Sequence, residues 1–134
     1  MHRNFISLIH QKLKLNKTKR MKIEQIAELL NGKVVCGEEF LDRCVNSVFA
    51  SDLMSDVLTL KSDDLLLMTG LGNVQTIRTA EMSDINTIIF VRNKKVNEDM
   101  LQLASENDMV LIECPYSMFR ASGILYQAGL EPIY

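Results

Sequence analysis

Hydrophobic residues recur along this chain in two alternating patterns, one with helical spacing and one continuous over a few residues. Helical spacing first appears at residues 23–30, which Asn31 and Gly32 close as a left-handed cap. Further helices are predicted over 52–60, 74–83, 98–107 and 117–128. Extended segments are predicted over 33–36, 45–50, 65–69, 87–91 and 109–112. From residue 45 onward, strand and helix therefore alternate.

Three extended segments, Leu65–Met68, Ile88–Val91 and Met109–Ile112, are apolar at every position. Strands of that kind are covered by helices on both faces, as in parallel sheets. The stretches between them leave room for one crossover helix each, which is typical of βαβ units. We therefore expect a three-layer α/β domain with a mostly parallel sheet of about five strands and helices on both faces.

Ligands of such folds bind at the carboxyl ends of the strands, where the following helices begin. Four post-strand turns should share that edge, here called the rim: Ser51-Asp52, Gly70-Leu71-Gly72-Asn73, Arg92-Asn93-Lys94-Lys95 and Cys114-Pro115-Tyr116-Ser117. The candidate ligand-binding residues are Asp52, Thr69, Gly70, Gly72, Asn73, Arg78, Arg92, Lys94, Lys95, Tyr116 and Ser117. We expect no catalytic residue, metal site or cofactor.

The turn after Leu65–Met68 has two readings. Gly70 and Gly72 would let the backbone approach a ligand closely, and Asn73 suits a helix N-cap. However, GxGxxG is not completed and no GK[ST] follows, so a plain strand-to-helix turn is the alternative. Arg78, one turn into the helix, could reach back towards an anion or face solvent.

Arg92, Lys94 and Lys95 form a local cation cluster in an otherwise acidic part of the chain. Such a cluster could grip a phosphate or a carboxylate. The alternative is a solvated loop whose lysines pair with Glu98 and Asp99.

Other side chains offer weaker chemistry. Asp52 and Asp56 are spaced to share one helical face and could hold Mg²⁺; the alternative is that Ser51 or Asp52 caps the helix, with acidic charge favoured in its first turn. Ser117 is the natural N-cap of the last helix. Cys114 could be a nucleophile, but both histidines lie in residues 1–20, so no general base is expected beside it.

Composition and charge divide the chain into two parts. It is 47% hydrophobic and 24% charged, as expected of one globular domain. Residues 1–20 hold six basic and no acidic residues, so the remaining nine basic and 17 acidic residues give 21–134 a net charge of −8. We expect 1–20 to be a flexible basic extension and 21–134 to be the domain, without membrane binding. The acidic domain argues against nucleic-acid binding, and the alternative for 1–20 is an arm that binds nucleic acid or an acidic partner. The apolar part of the extension is too short for a membrane span or signal peptide, so a cytoplasmic protein is expected.

Three stretches carry a family resemblance: KIEQIAELLNGKVVCGEEFLDRCVNSVFASDLMSDVLTL, MTGLGNVQTIRTAEMSDINTIIFVRNKK and YSMFRASGILYQAGL. Together they resemble the small stand-alone DRTGG-domain proteins over nearly all of 21–134. The resemblance implies a fold like the N-terminal domain of HPr kinase and a bacterial origin. It also implies a regulatory or dimer-forming role, as in phosphotransacetylases and CBS-containing pyrophosphatases, with hydrogenase-like or histidine-kinase-type partners.

The chain departs from the family signature. The Asp-Arg of longer members falls at Gly72-Asn73 and the Thr-Gly-Gly near Val91-Arg92-Asn93, so the signature's ligand does not carry over.

We therefore expect a non-catalytic regulatory or interaction domain, self-associated as a homodimer, that senses a nucleotide or phosphorylated metabolite at the rim. One alternative is an iron–sulfur accessory of a hydrogenase, with Cys114 in a shared site. Three cysteines, Cys36, Cys44 and Cys114, cannot hold a four-cysteine cluster or a complete disulfide framework within one chain. The other alternative is a small phosphate- or acyl-transfer enzyme that uses Asp52 and the Arg92 loop.

Overall fold

Residues 20–134 are described by a computed structural model of the chain. The expected basic extension, residues 1–20, lies outside the described residues except for Arg20. The strands are β1 (Met21–Lys22), β2 (Lys33–Cys36), β3 (Cys44–Val45), β4 (Ser47–Ala50), β5 (Leu65–Thr69), β6 (Thr87–Phe90), β7 (Val110–Glu113) and β8 (Glu131–Pro132). The helices are α1 (Ile23–Leu29), α2 (Met54–Val57), α3 (Val74–Met82), α4 (Glu98–Glu106) and α5 (Met118–Gln127), with a 3₁₀ turn at Glu38–Phe40.

A six-stranded sheet forms the middle layer, in the order β2-β7-β6-β5-β4-β8. Strands β4 to β8 run parallel, whereas β2 pairs with β7 in the opposite direction. A separate antiparallel pair joins β1 to β3. The expected mostly parallel sheet is confirmed, with one strand more than about five. The additional strand, β8, has two residues, one of them proline, and carries no periodic pattern.

Helices cover both faces of this sheet, as expected. Leu66 and Met68 of β5 belong to a core with α1 and α5, whereas Leu65 and Leu67 belong to a second core with α2, α3 and α4. Successive side chains of a strand point to opposite faces. The central strands are apolar at every position because each face meets its own layer of helices.

The helix expected over 52–60 is only one turn long. It begins at Met54, and Leu53 precedes it in an extended conformation. The Ser51 hydroxyl accepts a hydrogen bond from the Leu53 amide at 2.9 Å, which shapes the approach to the helix. Asp52 therefore lies before the helix, and the expectation that it shares a helical face with Asp56 is wrong.

Candidate functional site

The carboxyl ends of β4, β5, β6 and β7 meet at one edge of the sheet, as their parallel pairing requires. In the register of the sheet, Ala50 lies beside Met68, Thr69 beside Phe90, and Phe90 beside Glu113. The four turns expected at the rim therefore follow neighbouring strands at this edge.

Asp52 is tied to the end of the neighbouring strand. Its Oδ1 accepts hydrogen bonds from the Thr69 hydroxyl at 2.9 Å and from the Gly70 amide at 2.6 Å. The Thr69 hydroxyl accepts a bond from the Leu71 amide at 3.1 Å in turn. The carboxylate thus fixes the start of the glycine turn. Its Oδ2 has no hydrogen-bond donor within residues 20–134, which leaves it open to a hydroxyl or amino group of a ligand.

Gly70 and Gly72 lie where other chain segments approach closely. A methyl group on Gly70 would sit 3.5 Å from both carboxylate oxygens of Asp52 and 3.8 Å from a guanidinium nitrogen of Arg92. A methyl group on Gly72 would sit 3.6 Å from the Cβ of Lys94. A carboxylate and two cationic residues therefore surround the turn, and a ligand seated on it could contact all three.

Asn73 is the N-cap of α3, and its side chain bonds the first turn of that helix. Its Oδ1 accepts a hydrogen bond from the Thr76 amide at 3.0 Å, and the Thr76 hydroxyl donates to the Leu71 carbonyl at 2.7 Å. The reading of this segment as a capped strand-to-helix turn is therefore correct in geometry. Asn73 shapes the turn and has its acceptor oxygen occupied.

Two consecutive left-handed residues shape the loop of residues 92–95. Their φ angles are 59° at Arg92 and 58° at Asn93. The Arg92 amide donates to the Tyr116 carbonyl at 2.7 Å, and the Asn93 amide donates to the Cys114 carbonyl at 3.0 Å. Non-glycine residues rarely adopt this conformation unless their surroundings hold them in it. The backbone of the loop is therefore locked to the last turn of the rim.

The cations of this loop have different surroundings. The Lys95 ammonium lies 3.2 Å from the Asn93 side-chain oxygen and 3.6 Å from a Glu113 carboxylate oxygen. The side chains of Arg92 and Lys94 form no ion pair or hydrogen bond within residues 20–134. The pairing of the lysines with the acidic residues at the start of α4 does not occur in this part of the chain. Two cationic side chains thus remain without a partner there.

Tyr116 and Ser117 complete the rim at the start of α5. The Ser117 hydroxyl accepts a hydrogen bond from the Arg120 amide at 3.2 Å, so Ser117 is the N-cap that the sequence predicts. The guanidinium carbon of Arg120 lies 3.8 Å from the centroid of the Tyr116 ring, a cation–π contact. Sequence reasoning missed Arg120. It follows Tyr116 by four residues, a spacing that places two side chains on the same side of a helical turn, and this was the available signal.

Glu113 is a second residue that sequence reasoning missed. It is 9% exposed, and its Oε2 accepts a hydrogen bond from the Val96 amide at 2.9 Å. Together with its contact to Lys95, this bond holds the end of loop 92–95 against β7. A carboxylate that ends an otherwise apolar strand was the only sequence signal.

Arg78 is the candidate that the structure groups elsewhere. It lines a hollow of about 270 Å³ between α3 and α4, together with Asp99 and Glu106. The interpretation that it faces outward from the helix is therefore favoured over a reach towards the glycine turn.

Cys114 follows β7, but its side chain is part of the core. It is 1% exposed, and its thiol donates to the Leu30 carbonyl at 3.5 Å. Burial raises the pKa of the Cys114 thiol, although the Tyr116 backbone and the charge of Arg120 lower it in part. A buried, protonated thiol is a poor nucleophile and metal ligand, so the geometry favours neither role considered for it. Within residues 20–134, no three His, Cys, Asp or Glu side chains cluster as a metal ion would need.

Fold and site together define a three-layer α/β domain that presents a backbone-locked cationic loop at one end of its sheet. The family model of the DRTGG domain matches residues 25–128, and the chain belongs to this family. DRTGG domains are regulatory, which confirms the expectation of a regulatory domain.

Among solved structures, the chain is similar to the CBS and DRTGG domains of the regulatory region of Clostridium perfringens pyrophosphatase, complexed with the activator diadenosine tetraphosphate. The two chains are 17% identical with a TM-score of 0.65, and the match covers 88% of this chain and 50% of that one. This chain thus spans half the length of that regulatory region, and the likeness shows the fold. No curated protein matches the sequence. No helix in residues 20–134 is long and apolar enough to cross a membrane.

Proposed function

We propose that this DRTGG domain regulates a partner by binding a nucleotide or phosphorylated metabolite at the rim. The observation that carries the proposal is the pair of cations, Arg92 and Lys94, that lack partners within residues 20–134. Residues 21–134 carry a net charge of −8, so acidic groups are plentiful in this part of the chain. Cations left unpaired on one loop of such a domain attract an anionic ligand.

The chemistry of the turn favours a phosphorylated compound with hydroxyl or amino groups over bare phosphate. The planar guanidinium of Arg92 suits bidentate contact with a phosphate, and Lys94 adds a second positive charge. The free Oδ2 of Asp52 lies 3.5 Å from the same methyl position on Gly70 that Arg92 approaches, and it accepts hydrogen bonds and repels a second anionic group. The related pyrophosphatase region is complexed with diadenosine tetraphosphate, which makes that compound the first to test.

Isothermal titration of the full chain with diadenosine tetraphosphate, ATP and inorganic phosphate tests the proposal. We expect a nucleotide to bind more tightly than phosphate, and Arg92→Gln and Lys94→Gln each to weaken binding by about tenfold or more, because each removes a charged hydrogen bond. Lys22→Gln is the matched control, since Lys22 is an exposed residue of β1, which pairs with β3 before β4 begins and so lies away from the carboxyl ends of the strands. Absence of binding by every compound, or an equal loss in the control, contradicts the proposal.

Self-association into a homodimer is the second part of the proposal. Leu58 and Met82 are 51% and 64% exposed and line one hollow of about 490 Å³. Exposed apolar side chains that share a surface mark interaction sites. Light scattering should give twice the chain mass of 15.2 kDa, and Met82→Glu should restore 15.2 kDa. Gln75→Glu adds the same charge to the same helix and should leave the dimer intact. A mass of 15.2 kDa for the unmodified chain at micromolar concentration overturns this part.

The partners we propose are the hydrogenase-like and histidine-kinase-type proteins that the family resemblance suggests, in the cytoplasm. All three cysteines are unpaired, which suits a reducing compartment. Purified candidate partners should be retained by the immobilised chain in a ligand-dependent manner, and Arg92→Gln should lose that dependence. Equal retention with and without ligand would argue against signalling through the rim.

A further inference from the structure

An apolar groove opens at the rim and runs between α5 and the edge of the sheet that β4 and β8 form. Its volume is about 430 Å³, within the range of about 300–1,000 Å³ that small-molecule sites occupy. Four aromatic side chains line it, namely Phe49, Phe119, Tyr126 and Tyr134. Phe119, the second residue of α5, is 91% exposed. A ring left this open beside a groove offers a flat apolar face to a ligand.

The two ends of the groove differ in their surroundings. Ala50, the last residue of β4, and Phe119 lie at the rim, because the carboxyl end of β4 and the start of α5 both belong to it. Leu130 and Glu131 lie at the far end, where β8 begins beside the first residue of β4. The groove therefore leads away from the rim at the point where Asp52 follows β4.

The edge of β4 that lines the groove is only partly paired. Strand β8 pairs with Ser47 and Val48 and reaches no further along β4. Backbone groups of successive strand residues point to opposite sides, and the Ser51 amide bonds the Met68 carbonyl of β5 at 3.0 Å. The amide and carbonyl of Ala50 therefore point away from β5 towards the groove, where they have no strand partner within residues 20–134.

This backbone pair and the exposed ring suit a nucleobase. Adenine carries a ring-nitrogen acceptor beside an amino donor, the complement of an amide and a carbonyl that point the same way. Aromatic side chains bind such bases by stacking on their flat faces. The apolar walls of the groove exclude water from both contacts, which strengthens them.

The groups along the rim are in the order of the parts of a nucleotide. Loop 92–95 follows β6, the Gly70 turn follows β5, and Asp52 and the groove lie at the end of β4. Neighbouring strands are about 4.8 Å apart, so β6 and β4 are about 10 Å apart. Phosphates on loop 92–95, a ribose hydroxyl on the Asp52 carboxylate and a base in the groove would therefore follow one another in covalent order.

We propose that the groove is the subsite for the purine base of a nucleotide whose phosphates lie on loop 92–95. Phe119 stacks on the base, and the backbone of Ala50 bonds its edge. The inference rests on the proposed function, and it narrows the ligand from any phosphorylated metabolite to a purine nucleotide.

Titration of the full chain with ATP and with inorganic triphosphate separates the base from the phosphates. ATP should bind about tenfold or more tightly than triphosphate, because only ATP gains the stacking contact. Phe119→Ala should remove this advantage and leave the affinity for triphosphate unchanged, whereas Phe119→Tyr keeps the ring and the advantage. Arg92→Gln should weaken the binding of both compounds.

A second variant fills the groove instead of removing the ring. A methyl group on Gly123 would meet no atom within 4 Å, so Gly123→Leu is accommodated and its side chain takes up space in the groove. It should lower the affinity for ATP about tenfold and leave that for triphosphate unchanged, with the fold checked by circular dichroism. Ser105→Leu is the matched control, because it adds the same side chain to α4, on the opposite face of the sheet.

A fluorescent reporter tests the base subsite without phosphate. The sequence has no tryptophan, so Phe119→Trp places a single probe at the groove. Adenosine should change its emission in a saturable manner, and adding Arg92→Gln should leave that response intact. Gly123→Leu should weaken the response about tenfold.

The outcomes separate this inference from the proposed function. Equal affinities of the unmodified chain for ATP and triphosphate overturn the base subsite and leave the phosphate site standing. An affinity for ATP that neither Phe119→Ala nor Gly123→Leu lowers does the same. A response to adenosine without any binding of triphosphate supports the base subsite and contradicts the phosphate site. Absence of both responses overturns both.

Discussion

Alanine at Gly37 and alanine at Gly70 should have opposite consequences, because the space around the two glycines differs. At Gly37 the φ angle is +83°, and a methyl group would lie 2.5 Å from the Met109 carbonyl oxygen. At Gly70 the backbone is not left-handed, and the nearest atoms to a methyl group are 3.5 Å away. We therefore expect Gly37→Ala to destabilise the domain and Gly70→Ala to leave its stability intact.

The expected magnitudes follow from these two geometries. The left-handed conformation costs alanine about 1–2 kcal/mol, and the forced contact costs about 1–3 kcal/mol. Gly37→Ala should thus lower the free energy of unfolding by about 2–5 kcal/mol. Gly70→Ala restricts the unfolded chain and should change that free energy by about 0 to +1 kcal/mol. With a urea m value of about 1–3 kcal/mol per molar, a loss of 3 kcal/mol lowers the unfolding midpoint by about 1–3 M.

Circular dichroism in urea measures the stability of both variants, and titration with the rim ligand measures their binding. A methyl group on Gly70 lies beside both Asp52 and Arg92, where the proposed ligand would sit, so affinity should fall about tenfold or more without loss of stability. If Gly70→Ala is destabilised as much as Gly37→Ala, the glycine is structural and the reasoning fails. If it keeps both stability and full affinity, no ligand approaches that position.

Four further predictions concern hydrogen bonds at the rim and the thiols of the domain. Asp52→Ala removes the acceptor of two hydrogen bonds at an exposed site and should lower the free energy of unfolding in urea by about 1–2 kcal/mol. Asp52→Asn keeps an acceptor and should lower it by less than half of that. Equal losses in the two variants would contradict the assigned bonds. Glu113→Ala should lower the free energy of unfolding by about 1–3 kcal/mol and speed hydrogen exchange of the Val96 amide. Glu113→Gln keeps an acceptor and should preserve the protection of that amide. Unchanged exchange in both variants would refute the contact. A thiol reagent at pH 8 should label half-buried Cys44 well before Cys114, and unfolding should remove the difference. Burial raises the pKa of Cys114 in the folded state above its ordinary 9.0, so the unfolded chain releases this proton at lower pH. The free energy of unfolding should therefore not depend on this thiol below about pH 9 and should fall above it. Cys114→Ala should flatten that decline.

The sheet and its helices were predictable from sequence because each signal is local. Leu65–Met68 is apolar throughout, and such a run identifies a strand covered on both faces whatever its partners are. The N-caps Asn73 and Ser117 were visible for the same reason, since each bonds an amide three residues on. The parallel order of the strands then places the candidate turns at one edge, which the structure confirms.

What the sequence could not reveal depends on contacts between distant segments. Asp52 accepts a hydrogen bond from the Gly70 amide, 18 residues away. The backbone between β4 and α2 is extended at Leu53, so the predicted helix is only one turn long. The bond from Glu113 to the Val96 amide spans 17 residues and has no periodic signature. Strand β8 forms because β4 offers it an edge, and its own two residues carry no strand pattern.

The rim shares one helix, α5, with the apolar groove that lies between α5 and the β4–β8 pair, so the two are physically connected. The Arg92 amide is bonded to the Tyr116 carbonyl, one residue before the Ser117 cap of α5. Two residues past that cap, Phe119 turns towards the groove, and Gly123 opens its wall one turn further along. A ligand that displaces the backbone of loop 92–95 would therefore act on the first turn of α5, the helix that lines the groove. Coupling between the two sites requires that α5 have two discrete positions. The hydrogen bond from Arg92 to the Tyr116 carbonyl and the open space at Gly123 are the features that would permit such a shift of α5.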